Sequence, residues 1–280
     1  MSGMKEIRIS RRRFFEKSLY FSTFTFALSA KSQRIAAGNS KIRVYDRNVA
    51  SGKELPDHEW ISGHLKLKDP IIWLFTGDSI THGAKHTQGY RSYPEIFAER
   101  IRWELSRMRD IIINTGISGN TTQTILDDLE WRIKQFKPNV VSLMIGTNDC
   151  SKERIQIELF EKNLILLVNA IRDMKAVPIL HTPNLIIFRK SPERTKLPDY
   201  VSVIRKVAEK EKLILIDNYY HWQDTFQNSA TINVYKDWLN DPLHPNGNGH
   251  SQIARLMFKE LSIYDVNSSV CGGEYYEGDH

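Results

Sequence analysis

An α/β fold built on a five-stranded, mostly parallel sheet is what this sequence predicts, and three features predict it. Short apolar runs alternate with longer amphipathic stretches from Pro70 to Leu261. The runs are too short for comfortable helices and are apolar throughout, as strands buried on both faces of a sheet are. Three of them lead into turns that carry a glycine, at Gly77, Gly116 and Gly146. Strands alternating with helices imply a parallel sheet covered on both sides. The 280 residues fit one such domain with appendages, and the composition is ordinary for a globular chain.

The elements follow in order. The first strand, Ile71 to Phe75, ends in Thr76-Gly77-Asp78-Ser79, where the glycine turns the chain sharply and leaves Ser79 at the strand's C-terminal edge. That edge is where open α/β sheets bind ligands. Ile96, Phe97, Ile101 and Leu105 share one face of a helix expected over Tyr93 to Met108. A strand at Ile111 to Asn114 precedes a helix over Thr121 to Phe136. A third strand, Val140 to Ile145, precedes a helix over Glu153 to Met174. The fourth, Val177 to His181, leads through a loop punctuated by Pro183, Pro192 and Pro198 to a helix over Tyr200 to Glu211. The fifth, Leu213 to Ile216, opens an irregular stretch before a last helix, Ser251 to Leu261. The main domain is thus expected over 70–262.

Three appendages surround it. Residues 1–38 read as an export signal and linker. Ser10-Arg11-Arg12-Arg13-Phe14-Phe15-Glu16-Lys17 resembles the bacterial twin-arginine signal, and Ser18 to Ala30 supplies a weakly apolar run too short to span a membrane. Small residues at Ser29-Ala30 and Ala36-Ala37-Gly38 offer two cleavage sites. The resemblance implies the twin-arginine translocation machinery as a transient partner and a periplasmic or extracellular destination in a bacterium. Residues 39–69 form an N-terminal extension, with an edge-like strand at Lys41 to Tyr45 and a polar turn at Glu54 to His58. Residues 263–280 form a flexible tail, Gly-rich and acidic from Asn267 onward.

The charge pattern argues against a nucleic-acid partner. Lys5, Arg8, Arg11, Arg12, Arg13 and Lys17 against Glu6 and Glu16 place most of the formal +6 in the first 30 residues. The remainder is close to neutral for its size. Two cysteines, Cys150 and Cys271, set no disulfide framework and are expected as free thiols.

Serine acyl transfer needs a nucleophile, a base, a carboxylate that orients the base, and donors for the oxyanion. Ser79 is the candidate nucleophile. Asp241-Pro242-Leu243-His244-Pro245-Asn246 places a carboxylate three positions before an imidazole in a loop stiffened by prolines. Asp, Pro and Asn are also ordinary turn residues. Thr115-Gly116-Ile117-Ser118-Gly119-Asn120 brings a backbone N–H near a ligand at Gly119, and Gly146-Thr147-Asn148-Asp149 offers the Asn148 amide. Each is a commonplace strand-to-helix turn; together they sit at successive strand ends on one edge.

These four segments, GDS, ISGN, GTND and DPLH, resemble in kind and order the blocks of the SGNH hydrolase superfamily, the GDSL esterases and lipases. The resemblance implies a flavodoxin-like three-layer α/β/α sandwich. It implies Ser79 as nucleophile with Asp241 and His244 as triad partners. It also implies Ser79 N–H, Gly119 N–H and the Asn148 side chain as oxyanion donors. Ile80 replaces the leucine of the name-giving string.

On this reading the chain is an exported serine esterase removing short acyl groups, foremost O-acetyl groups on carbohydrate. Tyr90, Tyr93, Tyr219, Tyr220, Trp222 and Trp238 are candidate rim aromatics, with Tyr90 and Trp222 singled out to stack on sugar rings. Aromatics are equally ordinary core filling. Neither a metal nor a cofactor is expected. His82 and His86 are separated by Gly83 in a loop and lack the glutamate of an H-E-x-x-H site. His250 is expected to pack or cap, and Asp149 to brace the Asn148 loop. The rival readings are a lipid or thioester acyl hydrolase and, from another class, a non-catalytic glycan-binding protein, which would have no use for the three triad residues. A nucleotide- or flavin-binding protein would want G-x-G-x-x-G after the first strand, and GDSITHG is not that.

Overall fold

The computed structural model describes residues 55–151 and 154–275. The expected export signal, its candidate cleavage sites and the expected strand at Lys41 to Tyr45 lie outside the described residues.

One sheet organises the chain. Its strands are β1 (Ile72–Gly77), β2 (Ile111–Asn114), β3 (Val140–Met144), β4 (Val177–His181) and β5 (Ile214–Ile216). They lie in the order β2-β1-β3-β4-β5, and every pairing is parallel. The chain goes outward from β1 to β2, then crosses back to β3 on the other side of β1. The carboxyl ends of β1 and β3 therefore flank the topological switch point, the place where such sheets open a crevice. Trp73, Leu74, Phe75, Val141 and Ile179 are buried, which explains why the strands read as continuous apolar runs.

The helices, in chain order, are α1 (Asp57–Leu65), α2 (Ser79–His82), α3 (Tyr93–Glu99), α4 (Thr122–Asp127), α5 (Leu129–Arg132), α6 (Ile157–Asp173), α7 (Leu197–Lys210), α8 (Asn218–Asn228), α9 (Val234–Asp237) and α10 (Gly247–Glu260). α3 packs with α10, while α4, α6 and α7 pack together, giving the layer of helices on either side of the sheet. The three-layer α/β/α sandwich expected from the sequence is the fold observed.

The structure departs from the sequence reading in five places. The helix expected over Tyr93 to Met108 changes after Glu99 into a π-helical turn, Arg100–Glu104. The one expected over Thr121 to Phe136 is broken at Asp128 and Ile133 into α4, α5 and a 3-10 turn, Lys134–Phe136. The break turns Arg132 inward, where its guanidinium donates to Thr115 O at 2.5 Å and Gly77 O at 3.3 Å. The stretch after β5, expected to be irregular, contains α8, capped by Asp217, whose carboxylate accepts from Tyr220 N–H at 3.1 Å.

The described parts of the extension, 55–69, and of the tail, 263–275, are also more ordered than expected. From Asp57 the polar turn is a helix, α1, with Trp60 and Ile61 in the core. Arg172 donates both guanidinium nitrogens to Asp57 at 2.6 Å, and Arg107 donates to the carbonyls of Leu65, Leu67 and Asp69. Asp110 accepts from Ile71 N–H and the Trp73 indole, so this clamp closes the edge where the strands begin. At the other terminus Val270 and Cys271 are buried. Glu104 accepts from Ser269 Oγ and Val270 N–H, and Arg100 donates to Ile263 O. The π-helical turn thus supplies the charged partners that hold the tail down. Cys150 and Cys271 are both free and both buried. No helix among the described residues is long and apolar enough to cross a membrane.

Candidate active site

The site is built at the C-terminal ends of β1, β2 and β3. Gly77 ends β1 against β3 so closely that a Cβ there would lie 2.1 Å from Met144 O, so only glycine fits. Asp78 then caps the single turn of α2, accepting from Ile80 N–H at 3.0 Å. Ser79 is the first residue of that turn, so its N–H has no intrahelical acceptor. Burial pushes the Asp78 carboxyl up to about 7, opposed by the Ile80 N–H and reinforced by Asp149 nearby.

Ser79 meets His244 across the molecule. Its Oγ lies 2.9 Å from His244 Nε2. His244 Nδ1 donates to Asp241 Oδ2 at 2.9 Å and lies 3.1 Å from Oδ1. A carboxylate partner at Nδ1 requires the proton there, which leaves Nε2 as a lone pair facing the serine hydroxyl. Burial lowers His244 from the ordinary imidazole value; Asp241 raises it again, and His86 and Arg194 lower it further. Burial alone would raise Asp241, yet the backbone N–H groups of His244 and Leu243, each at 2.8 Å, and the His244 ring hold it below the usual carboxylate range.

The loop that carries Asp241 and His244 is held on every side. Leu239 and Pro245 form an antiparallel bridge, Asn240 N–H donates to His244 O, and Asn246 N–H donates to Trp238 O. From the segment after β4, Ile187 N–H donates to Pro242 O and the Asn184 amide to Leu243 O. Asn246 Oδ1 then caps α10 by accepting from Gly249 N–H at 3.0 Å. Beneath the loop lies Trp222, 0% exposed, with its ring edge 3.0 Å from where a Gly249 Cβ would stand.

The other two strand-end turns lie at the same edge of the sheet. Gly119 sits in the left-handed region (φ +85°) with open space around its α-carbon, so backbone conformation rather than crowding calls for glycine. Asn148 Nδ2 donates to Asn120 O at 3.0 Å, tying the β3 turn to the β2 turn. Asp149 accepts from Thr122 N–H and Oγ1 at 2.8 and 2.6 Å, bracing the same junction; burial pushes it up to about 6.

Some sequence-chosen residues land elsewhere. Trp222, expected at the rim, is a core residue, as are Tyr93, Tyr219 and Trp238; a wholly covered indole cannot stack on a sugar. Tyr90 is 71% exposed and lies beside Gly247, where a Cβ would meet the Tyr90 Cβ at 2.7 Å. It also lines a recess of about 220 Å³ with Arg91, Asn248 and Tyr275. Tyr220 is exposed too. His82 bonds Ser118 Oγ and stands apart from the triad loop.

His86, read from the sequence as a loop residue without a metal role, lies against the acid–base pair. Its ring stacks on His244 at 3.5 Å with the planes 5° apart, and its Nδ1 lies 3.1 Å from Asp241 Oδ2. His86, Asp241 and His244 are also the trio among the described residues whose donor atoms, all within 4.8 Å, are close enough for a metal ion. Face-to-face rings, however, aim their nitrogen lone pairs along parallel planes. One ion could not lie in both planes unless the rings splayed, so the stack as it stands is poorly arranged for chelation.

The chain is similar to several known proteins. The model of a GDSL-like lipase/acylhydrolase family matches residues 75–252. An acetylxylan esterase of Geobacillus stearothermophilus is 27% identical over 223 residues, 73% of this chain and 100% of that protein. An uncharacterized lipoprotein of Bacillus subtilis is 27% identical over 55% of this chain and 73% of its own. An uncharacterized protein of Mycoplasma pneumoniae is 39% identical over 101 residues, where the chain spans only 11% of that protein's length. Among solved structures, one of the Geobacillus stearothermophilus acetyl xylan esterase superposes with a TM-score of 0.61 at 25% identity, covering 72% of this chain and 100% of that one.

Proposed function

The chain belongs to the GDSL-like lipase/acylhydrolase family and is a carboxylic ester hydrolase; from that premise we propose that it removes acetyl groups from carbohydrate through Ser79, His244 and Asp241. The observation that carries the reading is the unbroken hydrogen-bonded line from Ser79 Oγ through His244 to Asp241 at the open edge of the sheet. In it, His244 Nε2 takes the Ser79 proton as Oγ attacks the ester carbonyl. The tetrahedral oxyanion is met by Ser79 N–H, Gly119 N–H and the second N–H of the Asn148 amide, the first being engaged by Asn120 O. His244 then gives its proton to the departing sugar hydroxyl. Water, deprotonated by the same nitrogen, attacks the acyl-enzyme and releases acetate and Ser79.

The substrate class draws on two further supports: the relative described as an acetylxylan esterase, and Tyr90, an exposed ring against Gly247, just after the loop of His244, of the kind sugars stack on. Export through Arg11, Arg12 and Arg13 is part of the same reading. Replacing all three by Lys is expected to strand the precursor in the cytoplasm, seen by fractionation, and undiminished export would remove this element.

The direct test is acetate release from acetylated xylo-oligosaccharides and other acetylated glycans, together with rates on model esters of rising chain length. An acetylesterase peaks at acetyl or propionyl. A rate climbing through octanoyl, as each methylene gains about 0.8 kcal/mol in an apolar slot, overturns the carbohydrate assignment in favour of a lipid acyl hydrolase.

A further inference from the structure

Arg132 is a cation taken out of water, and its hydrogen bonds go to amide oxygens rather than to a carboxylate. The residue is 2% exposed, and its Nε is buried without a hydrogen-bond partner. Asp128, four positions earlier, is the acid whose field reaches it. Burial lowers its pKa from the ordinary value, yet a guanidinium keeps its proton in a protein. A charge held dry in this way is costly unless well-placed hydrogen bonds offset it.

Its acceptors share a location. Nη2 donates to Thr115 O at 2.5 Å and to Gly77 O at 3.3 Å. Gly77 closes β1 two residues before Ser79, and Thr115 follows β2 directly. The Asn120 side chain meets the same guanidinium. With its amide turned so that the oxygen faces inward, the orientation that satisfies both groups, Oδ1 accepts from Nη1. Asn120 O in turn accepts from Asn148 Nδ2 at 3.0 Å. One side chain therefore touches the β1 turn before Ser79 and both ends of the β2 turn around Gly119. Through Asn120 it also reaches the Asn148 amide on the β3 turn. We infer that Arg132 is a positioning residue that holds the three proposed oxyanion donors in one frame.

The three turns need such a frame because each donor comes from a different strand end. An oxyanion hole works by having its donors aimed before charge develops. Gly119 has open space around its α-carbon, so close packing does not fix its N–H from that side. The turn relies on its anchors, and Arg132 supplies one on either side of Gly119. Arg154 adds a further bond, to Gly119 O at 3.2 Å, from the exposed face. Gly77 O also accepts from Ile117 N–H at 3.1 Å, which joins the β1 end to the same turn. Only a planar fork can serve acceptors on two strand ends and a side chain together; an ammonium offers a single point of charge.

The inference rests on the Ser79–His244–Asp241 reading and its oxyanion donors, and the experiment separates the two. Wild type, Arg132→Lys, Arg132→Gln and Asn120→Ala are compared on a small acetyl ester. Active sites are counted by complete reaction with a serine-directed phosphonate. Lysine keeps the charge and glutamine keeps a neutral donor, but neither spans the acceptors. Both should lower kcat per titrated site by about 10- to 100-fold with KM nearly unchanged. Affinity for a methyl trifluoromethyl ketone, whose serine adduct carries the oxyanion, should fall by the same factor as kcat/KM. Asn120→Ala, which removes only Oδ1, should show the same pattern at about 3- to 10-fold. It decides the matter alone where the Arg132 variants do not fold. A purely structural arginine would reduce the number of titratable sites and leave kcat per site at the wild-type level, and that result overturns the inference. So does full activity in Arg132→Lys, or an Asn120→Ala protein that matches wild type in both kcat and ketone affinity. If the phosphonate fails to label Ser79 in wild type, the triad reading falls and the frame with it. Labelled wild type beside unaffected variants removes the frame alone.

Discussion

Two pairs of histidines, one at the open edge and one in the core beneath it, show what turns an imidazole into chemistry. His244 and His86 lie half-buried, stacked, with a carboxylate between their Nδ1 atoms. His181 and His250 are fully covered and have only neutral partners. His181 Nε2 pairs with Ser142 Oγ at 2.8 Å, and His250 Nδ1 accepts from Tyr93 N–H at 3.2 Å. Burial drives both of the latter down to about 3, while at His244, also lowered by burial, Asp241 acts in the opposite direction. The lesson is that depth alone makes a histidine a neutral hydrogen-bonding strut. A carboxylate at one nitrogen and a hydroxyl at the other are what the proposed base, His244, has in addition.

The largest expected effect falls on the edge pair. Ser79→Ala or His244→Ala should lower kcat by at least about 10³-fold with the melting temperature little changed, since only oxyanion contacts and binding remain. Substantial turnover by a folded Ser79→Ala protein, measured on a purified sample free of other esterases, would erase the difference between the two pairs.

The core pair should answer in the opposite currency. His250→Ala leaves the buried Tyr93 N–H without its acceptor, which costs about 1–3 kcal/mol before any cavity is counted. Thermal melts should show that loss, while kcat per folded molecule stays within a few-fold. Trp222→Ala belongs with it: about 3–5 kcal/mol of stability, since the indole fills the space under the His244 loop. A Trp222→Ala protein of normal melting temperature but poor activity on glycans alone would return that residue to the rim.

Acidity should separate the pairs further. Because His244 must be neutral to take the serine proton and sits below its ordinary value, kcat/KM should rise through an apparent pKa below about 6.5. Stability has its own pH dependence. A histidine whose folded pKa is lowered binds protons more readily unfolded, so His181 and His250 contribute fully above about 6.5 and lose that contribution as pH falls towards about 3. Asp78, raised to about 7, works the other way, its contribution fading as pH rises from the ordinary carboxylate value through about 7. His250→Gln should therefore flatten the loss of melting temperature on acidification without shifting the acid limb of kcat/KM. A matching shift in both would mean the two pairs are not independent.

The smallest effect expected is at Tyr90. Tyr90→Ala should lower kcat/KM several-fold on an acetylated oligosaccharide and hardly at all on an acetylated aliphatic alcohol, because only the sugar presents a ring face. Equal losses on both would reduce Tyr90 to a packing partner of Gly247.

Much of the edge could be read in advance because its geometry is local. Ser79, Gly119 and Asn148 each follow a strand by a few residues, so an apolar run and a glycine suffice to place them on one side of a parallel sheet. Asp241 and His244 share one short loop and could be read as a unit. What sequence could not supply was anything decided by contacts between distant segments. His86 lies against His244, far along the chain, and a loop between glycines carries no periodic signal. Trp222 was misplaced because α8 mixes Tyr219 and Trp222 with polar residues, giving a stripe too narrow to announce a buried face. α1 and the tail looked dispensable because their anchors, Arg172, Arg107 and Glu104, belong to other elements.

The two thiols carry a consequence for where this fold can be made. Burial pushes Cys150 up to about 12 and raises Cys271 as well, so neither offers a thiolate to an oxidant or to another cysteine at neutral pH. The tertiary structure asks nothing of the redox poise around it. The chain can complete its folding in a reducing compartment and keep the same covalent form in an oxidising one, with no catalyst of disulfide exchange needed on either side. That indifference suits the folded-state passage a twin-arginine route would demand, and it means preparation with or without reductant should yield one species of unchanged activity.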